Sequence, residues 1–306
     1  MTETPAPPRP AATPFGERLR AATAARGPLC VGVDPHAGLL REWGLGEDIG
    51  GLERFCGTVT EALADKVAVV KPQSAFFERF GSRGIAVLER TVADFRAAGA
   101  LVLLDVKRGD IGSTMGAYAD AYLDPAAPLF SDAVTLSPYL GFEALRPALD
   151  LARASGSGVF VLARTSNPEG GPLQRARCAD GRGVAADVLA RLARENAATA
   201  AGSPFGSFGA VVGATLAGVP GGVGAHEGDG GDGGLTHADL DIGGPLLLPG
   251  LGAQGARPED LPALLGPALP AALPSVSRDV LRHGPDRGAL RSATDRWIGE
   301  LAAVIG

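Results

Sequence analysis

The sequence predicts a (β/α)8 barrel of the TIM type, and three observations carry that expectation. Eight short apolar runs recur along the 306 residues, and each ends on a polar or glycine residue. A segment with helical periodicity follows each run. The runs are continuously apolar rather than alternating, as in strands covered on both faces. Eight such units spread over about 290 residues suit one barrel domain. A doubly wound open sheet has the same pattern, because periodicity does not reveal closure.

Taken in order, residues 1–13 form a Pro- and Ala-rich tail that is expected to be disordered, and the barrel domain occupies 14–306. Order begins near Thr13-Pro14, with Thr13 as a helix N-cap and Pro14 at the first helical position. The runs are LCVGVD to Asp34, VAVVK to Lys71, ALVLLD to Asp105, DAVTLS to Ser137, GVFVLAR to Arg164, FGAVVG to Gly213, PLLLPG to Gly250 and PSVSR to Arg278. Their ends lie 27 to 49 residues apart without a shared motif, so the architecture repeats and the sequence does not. Between them, Ile85, Leu88, Val92 and Phe95 keep helical spacing, with Gly99 as a stop. The 168–182 segment reads as loop. Residues 218–234, GVPGGVGAHEGDGGDGG, read as a flexible surface insertion. Its His226, Glu227, Asp229 and Asp232 are ligand-type side chains, but so flexible a loop has no preformed geometry.

Composition excludes several classes. With 45% hydrophobic and 20% charged residues the chain can bury a core. Its 45 glycines follow no fixed period, which rules out collagen. A net charge of −6 argues against a nucleic-acid or membrane-surface binder. No apolar run is long enough to span a bilayer, and MTETPAPPRPAATP lacks the apolar core of a secretory signal. Cys30, Cys56 and Cys178 are odd in number and lack metal spacing, which suggests buried thiols in a reducing cytoplasm.

Active sites of βα barrels sit at the C-terminal ends of the strands. There the sequence places Asp34, Lys71, Asp105, Lys107, Ser137 and Arg278. The lysines are the sharpest clue. The chain has three, Lys66, Lys71 and Lys107, against 25 arginines, and two of the three stand at strand ends. An ammonium can release and regain a proton, whereas a guanidinium effectively cannot. LLDVKRGDIGST contains D-x-K-x-x-D from Asp105, Lys107 and Asp110. Residues two apart on an extended segment point the same way. The spacing also fits a helix-capping Asp110 and a solvated Lys107, as Asp34 fits a helix N-cap or turn and Lys71 a snorkelling side chain. The Gly-rich PGLGAQGA, from Pro249 to Ala256, and SVSR, ending at Arg278, follow strands seven and eight, where barrels commonly hold phosphate. No dinucleotide, Walker, HExxH or GxSxG motif stands in a supporting context, and the four histidines form no ligand pair, so no metal is assigned.

DVKRGDIGST at 105–114 resembles the D-x-K-x-x-D-I-x-x-T signature of the orotidine 5′-phosphate decarboxylase family. GVDPH at 32–36, VVKPQSAFFERFG at 69–81, LSPYLG at 136–141, TSNP at 165–168, VVGAT at 211–215 and LPGLGAQGA at 248–256 resemble its longer-chain, type 2 branch. The resemblance runs in order from about Phe15 to Arg278, and the 218–234 insertion exceeds what the family needs. It implies decarboxylation of orotidine 5′-monophosphate to uridine 5′-monophosphate without metal or organic cofactor. It also implies a homodimer in which each site borrows Asp110 and Thr114 from the neighbour. Lys107 would donate the proton, flanked by Asp105, Asp110 and Lys71. Asp34, Lys71 and Asp110 would bind the ribose with Thr114 nearby, Ser137 the pyrimidine, and Gln254 and Arg278 the phosphate, with the loop from Pro249 closing over it. Related sugar-phosphate decarboxylases share D-x-K-x-x-D, so a metal-dependent member of that group is the second reading. A catalytically silent nucleotide-binding barrel is the third.

Overall fold

The computed structural model describes residues 13–199, 205–217, 222–223 and 234–306. The tail before Thr13, and His226, Glu227, Asp229 and Asp232 of the insertion, lie outside the described residues. Eight parallel strands follow the eight apolar runs: β1 Cys30–Val33, β2 Val69–Pro72, β3 Leu101–Arg108, β4 Ala133–Leu136, β5 Gly158–Arg164, β6 Phe208–Val212, β7 Leu246–Pro249 and β8 Ala272–Val276. Each pairs with the next, and β8 returns to β1 through Cys30–Ser275 and Val31–Val276. That last pairing closes the sheet and excludes the open alternative.

Alternation across each strand explains the unbroken apolar runs. Cys30, Val69, Leu101, Leu103, Ala133, Phe160, Val211, Leu247 and Leu273 fill the barrel interior. Val31, Val70, Val102, Leu104, Val134, Leu136 and Leu248 face outward into the helical layer. Both faces are therefore apolar, and neither can carry a polar stripe. The helix Phe15–Arg26 closes the N-terminal mouth, with Phe15 packed edge-on against Phe160 at a centroid distance of 6.0 Å. A Cβ at Gly158 would stand 2.4 Å from the Phe15 ring, so only glycine fits at the start of β5. The same inward parity carries Asp34, Lys71, Asp105, Lys107 and Thr135 to the C-terminal mouth.

The helix anticipated around Ile85 runs from Gly81 to Ala97 and buries Val87, Leu88, Val92 and Phe95. Lys66, the third lysine, pairs with Asp295 of the last helix, Arg287–Ile305, at 2.5 Å.

Three local expectations change. The first helix starts at Phe15, and Pro14 rather than Thr13 is its N-cap. Pro14 has ψ 144°, so its ring directs the chain into the helix instead of forming its first residue. The 168–182 segment is not plain loop: it contains a 3-10 turn Pro168–Gly170 and a short helix Gly171–Gln174. The Gln174 amide stabilises this turn by accepting from Thr165 N at 2.9 Å and donating to Thr165 Oγ1 at 2.8 Å. Within the insertion, Val223 is buried and bridges Ala217 and Leu235, so one apolar residue ties that segment to the fold.

Candidate active site

A single carboxylate organises the C-terminal mouth of the barrel. Asp105 on β3 accepts from Lys71 Nζ of β2 on one oxygen at 3.0 Å and from Lys107 Nζ on the other at 2.6 Å. Thr135 of β4 adds a third donor, Oγ1 to Asp105 Oδ1 at 2.7 Å. Asp105 and Lys71 are buried, at 5% and 7% exposure, so Lys71 does not snorkel. Burial alone would raise the Asp105 pKa. Lys71 and Lys107, with the hydrogen bonds from Lys107 and Thr135, outweigh it and hold the carboxyl well below the usual range. Burial likewise opposes the charge on Lys71, but Asp105 and Asp34 hold its ammonium above the usual lysine range. At an effective dielectric near 20, each such attraction is worth roughly 4 kcal/mol at 4 Å. Lys107 is the open member of the row, with its side chain 45% exposed and Gln73 Oε1 at 3.5 Å from Nζ. Cys30 lies deeper in the barrel, where burial pushes its thiol up to about 12, which leaves it inert as a nucleophile.

The backbone at Lys107 is unusual. Its φ is +44°, and it is the one non-glycine described residue with positive φ. Between the pairs Leu104–Val134 and Arg108–Leu136, three β3 residues face the single residue Thr135. β3 bulges there, and the Lys107 N–H donates to Thr135 Oγ1 at 2.9 Å instead of to a ladder carbonyl. A left-handed non-glycine residue costs about 1–3 kcal/mol and persists where its surroundings hold it. Asp105 and Lys107 do point the same way, as the two-residue spacing suggests, but through a bulged rather than a regular strand.

Asp34 stands at the end of β1 with Oδ1 buried and without a hydrogen-bond partner. It is not a helix cap. His36 fills that role for the helix Ala37–Glu42, accepting from Leu39 N at 3.2 Å. A buried, unpaired carboxylate oxygen beside Lys71 suits a hydroxyl-bearing ligand. Asp110 does not cap a helix either. Its Oδ1 accepts from Ile111 N at 2.8 Å, and the helix Gly112–Leu123 begins without a side-chain cap because the chain passes through extended Ile111 first. Asp110 does not meet Lys107 within the chain, whose partners are Asp105 and Gln73, and Thr114 is exposed. Ser137 directly follows β4 and donates its N–H to Arg108 O at 2.8 Å.

The 249–256 loop follows β7 and folds on itself. Gly252 N, Gly255 N and Ala256 N donate to Ala256 O, Gly252 O and Gly250 O, so these three amides serve the loop rather than an incoming ligand. Gln254 Oε1 accepts from Ser166 Oγ at 3.2 Å, joining this loop to the one after β5. A Cβ at Gly252, where φ is +70°, would stand 1.9 Å from Asp279 Oδ2, so the loop lies against the short helix Arg278–Leu281. Arg278 is exposed at the start of that helix. Sequence reasoning missed Thr135, Gln73 and Ser166. Each is an ordinary strand or loop residue whose part depends on a partner from another strand.

Among the described residues, no three His, Cys, Asp or Glu side chains converge as a metal-ligand set. The family model described as orotidine 5′-phosphate decarboxylase / HUMPS family matches residues 27–293. The chain is 62% identical over 292 residues to an orotidine 5′-phosphate decarboxylase of Streptomyces coelicolor, covering 95% of this chain and 98% of that one. It is 58% identical over 291 residues to an orotidine 5′-phosphate decarboxylase of Salinispora tropica, covering 95% and 98%. Among solved structures, the OMP decarboxylase of Leishmania donovani superposes with a TM-score of 0.70 at 29% identity, covering 96% and 99%. A Streptomyces avermitilis crystal structure superposes with a TM-score of 0.87 at 60% identity, covering 96% and 97%. With the matched region spanning the whole barrel and its charged mouth, the chain belongs to the orotidine 5′-phosphate decarboxylase / HUMPS family.

Proposed function

We propose that this chain decarboxylates orotidine 5′-monophosphate to uridine 5′-monophosphate, the closing step of UMP synthesis, with Lys107 as the proton donor. The observation that carries the residue assignment is the Asp105 carboxylate held between the Lys71 and Lys107 ammoniums at the barrel mouth. Breaking the bond from C6 to the carboxyl carbon leaves its electron pair in the ring plane, where no attached carbonyl can delocalise it. Stabilisation is then electrostatic and must be preorganised. The Lys107 ammonium faces C6 as CO2 departs and transfers one N–H proton to it, forming the C6–H bond of the product. The neutral amine regains a proton from solvent. Asp105 orients the Lys107 ammonium, and Lys71 keeps Asp105 ionised.

Asp34 takes a ribose hydroxyl on its unpaired oxygen, supported by Lys71. Ser137 meets the pyrimidine, while Gln254, Pro249 and Arg278 close on the phosphate. Asp110 and Thr114 act from the neighbouring subunit of a homodimer. Supporting that arrangement, Thr114 is exposed and Asp110 half-buried, on the same segment as Ile111, which with Tyr139 and Leu140 is left 61%, 74% and 53% exposed. The two loops touch where Gly109 meets Ser137 O. A cytoplasmic location fits three unpaired thiols, two of them buried. No helix among the described residues is long and apolar enough to cross a membrane.

The ultraviolet assay for conversion of orotidylate to uridylate tests the function. Full turnover after exhaustive chelation is expected. Turnover that disappears with chelator and returns with a divalent cation would favour the metal-dependent sugar-phosphate branch instead.

A further inference from the structure

We propose that Thr135 is a positioning residue for this reaction, its hydroxyl fixing the backbone of Lys107 and the carboxylate of Asp105 together. The inference rests on the proposed decarboxylation and adds a residue outside the D-x-K-x-x-D element. Thr135 is the third residue of β4, points into the barrel and is 1% exposed. Its Oγ1 accepts from Lys107 N at 2.9 Å and donates to Asp105 Oδ1 at 2.7 Å. The sense of both bonds is forced. A backbone amide can only donate, an ionised carboxylate can only accept, and a hydroxyl has a proton for one and a lone pair for the other. Lys107 Nζ donates to the same Oδ1 at 2.6 Å, so amide, hydroxyl, carboxylate and ammonium form one closed ring.

This ring sits where the ladder fails. Thr135 alone faces residues 105–107, and its hydroxyl replaces the carbonyl that a regular strand would offer to Lys107 N–H. It thereby holds Lys107 at φ +44°, a conformation with no intrinsic preference for lysine. Without the hydroxyl, that amide loses its acceptor and the bulge can relax. The Lys107 ammonium would then swing relative to the reacting carbon, while the ribose contacts of Asp34 and Lys71 and the phosphate contacts, which belong to other strands, stay in place. Turnover should suffer and ligand affinity should not.

Two matched pairs isolate the hydroxyl: wild type against Thr135→Val at constant shape, and Thr135→Ser against Thr135→Ala after loss of the methyl group. Each pair is assayed for kcat on orotidylate, for UMP affinity by calorimetry and for Tm. A misplacement of about 1 Å costs on the order of 100-fold. Thr135→Val should therefore lose about 100-fold in kcat with UMP affinity held within about threefold, and Thr135→Ser should exceed Thr135→Ala by a similar ratio. If Thr135→Val does not fold, the Ser-to-Ala ratio decides alone. The inference is overturned by equal kcat within both pairs, by a kcat loss matched by the loss in UMP affinity, or by failure of both hydroxyl-free variants to fold, which would make Thr135 a folding element. An inactive wild type would remove the function itself, and Thr135 with it. An active wild type with an equally active Thr135→Val removes only Thr135.

Discussion

Asp105 is the residue on which the site's charges balance. It accepts from two ammoniums and one hydroxyl, and Lys71, 7% exposed, has little solvent to turn to if that carboxylate is lost. Removing one partner of a buried pair typically costs about 3–5 kcal/mol. Asp105→Asn, which keeps the shape and removes the charge, should lower unfolding stability by about that amount in urea titrations at neutral pH. The sign of the pH dependence follows from the depressed Asp105 pKa. Its stabilisation is complete above the ordinary carboxylate value of about 4 and is lost as pH falls from there through the lower folded value. The stability gap between wild type and Asp105→Asn should therefore narrow as pH is lowered from about 5 to about 3. A gap that stays constant over that range would show that Asp105 is not the paired, ionised group described.

At the scale of elements, the two loops after β7 and β8, proposed to hold the phosphate, would act at a distance from the bond that breaks. Binding energy from a remote phosphate can drive closure and desolvation, so its loss reaches turnover as well as affinity. Arg278→Ala should lower kcat/KM by orders of magnitude while Tm barely moves, since Arg278 is exposed. Steady-state kinetics on orotidylate measures this, and an unchanged kcat/KM would place the phosphate elsewhere.

The strands themselves were legible because both faces of each are buried, one in the barrel interior and one against the helices, and the inward polar residues appear only at their C-terminal ends. Asp34, Lys71, Asp105 and Lys107 could be placed for that reason. The bulge at Lys107 was not legible: D-V-K reads as regular strand, and only the register against β4 reveals three residues opposite one. Thr135 stayed hidden for the same reason, as a β-branched residue ordinary in any strand. The turn at Gly171–Gln174 escaped because its organising contact, Gln174 to Thr165, spans nine residues without a periodic signal.

At the scale of the whole molecule, closure through β1–β8 brings residues from four strands to one mouth, and Phe15 and Leu19 seal the other end. The chain alone leaves Asp110 away from Lys107 and leaves Ile111, Tyr139 and Leu140 in water. The proposed two-fold homodimer would bury this patch on both partners, so one charge introduced there is introduced twice. Ile111→Asp combined with Tyr139→Asp should convert a dimer to a monomer in sedimentation velocity and abolish most turnover, with Tm little changed. A fully active monomer would contradict the shared site. The proton donor itself is tested by the turnover of Lys107→Ala, assayed on orotidylate alongside Tm and UMP binding. A folded variant that still binds UMP and has lost nearly all decarboxylation is expected, and wild-type-like turnover would show that another group protonates C6.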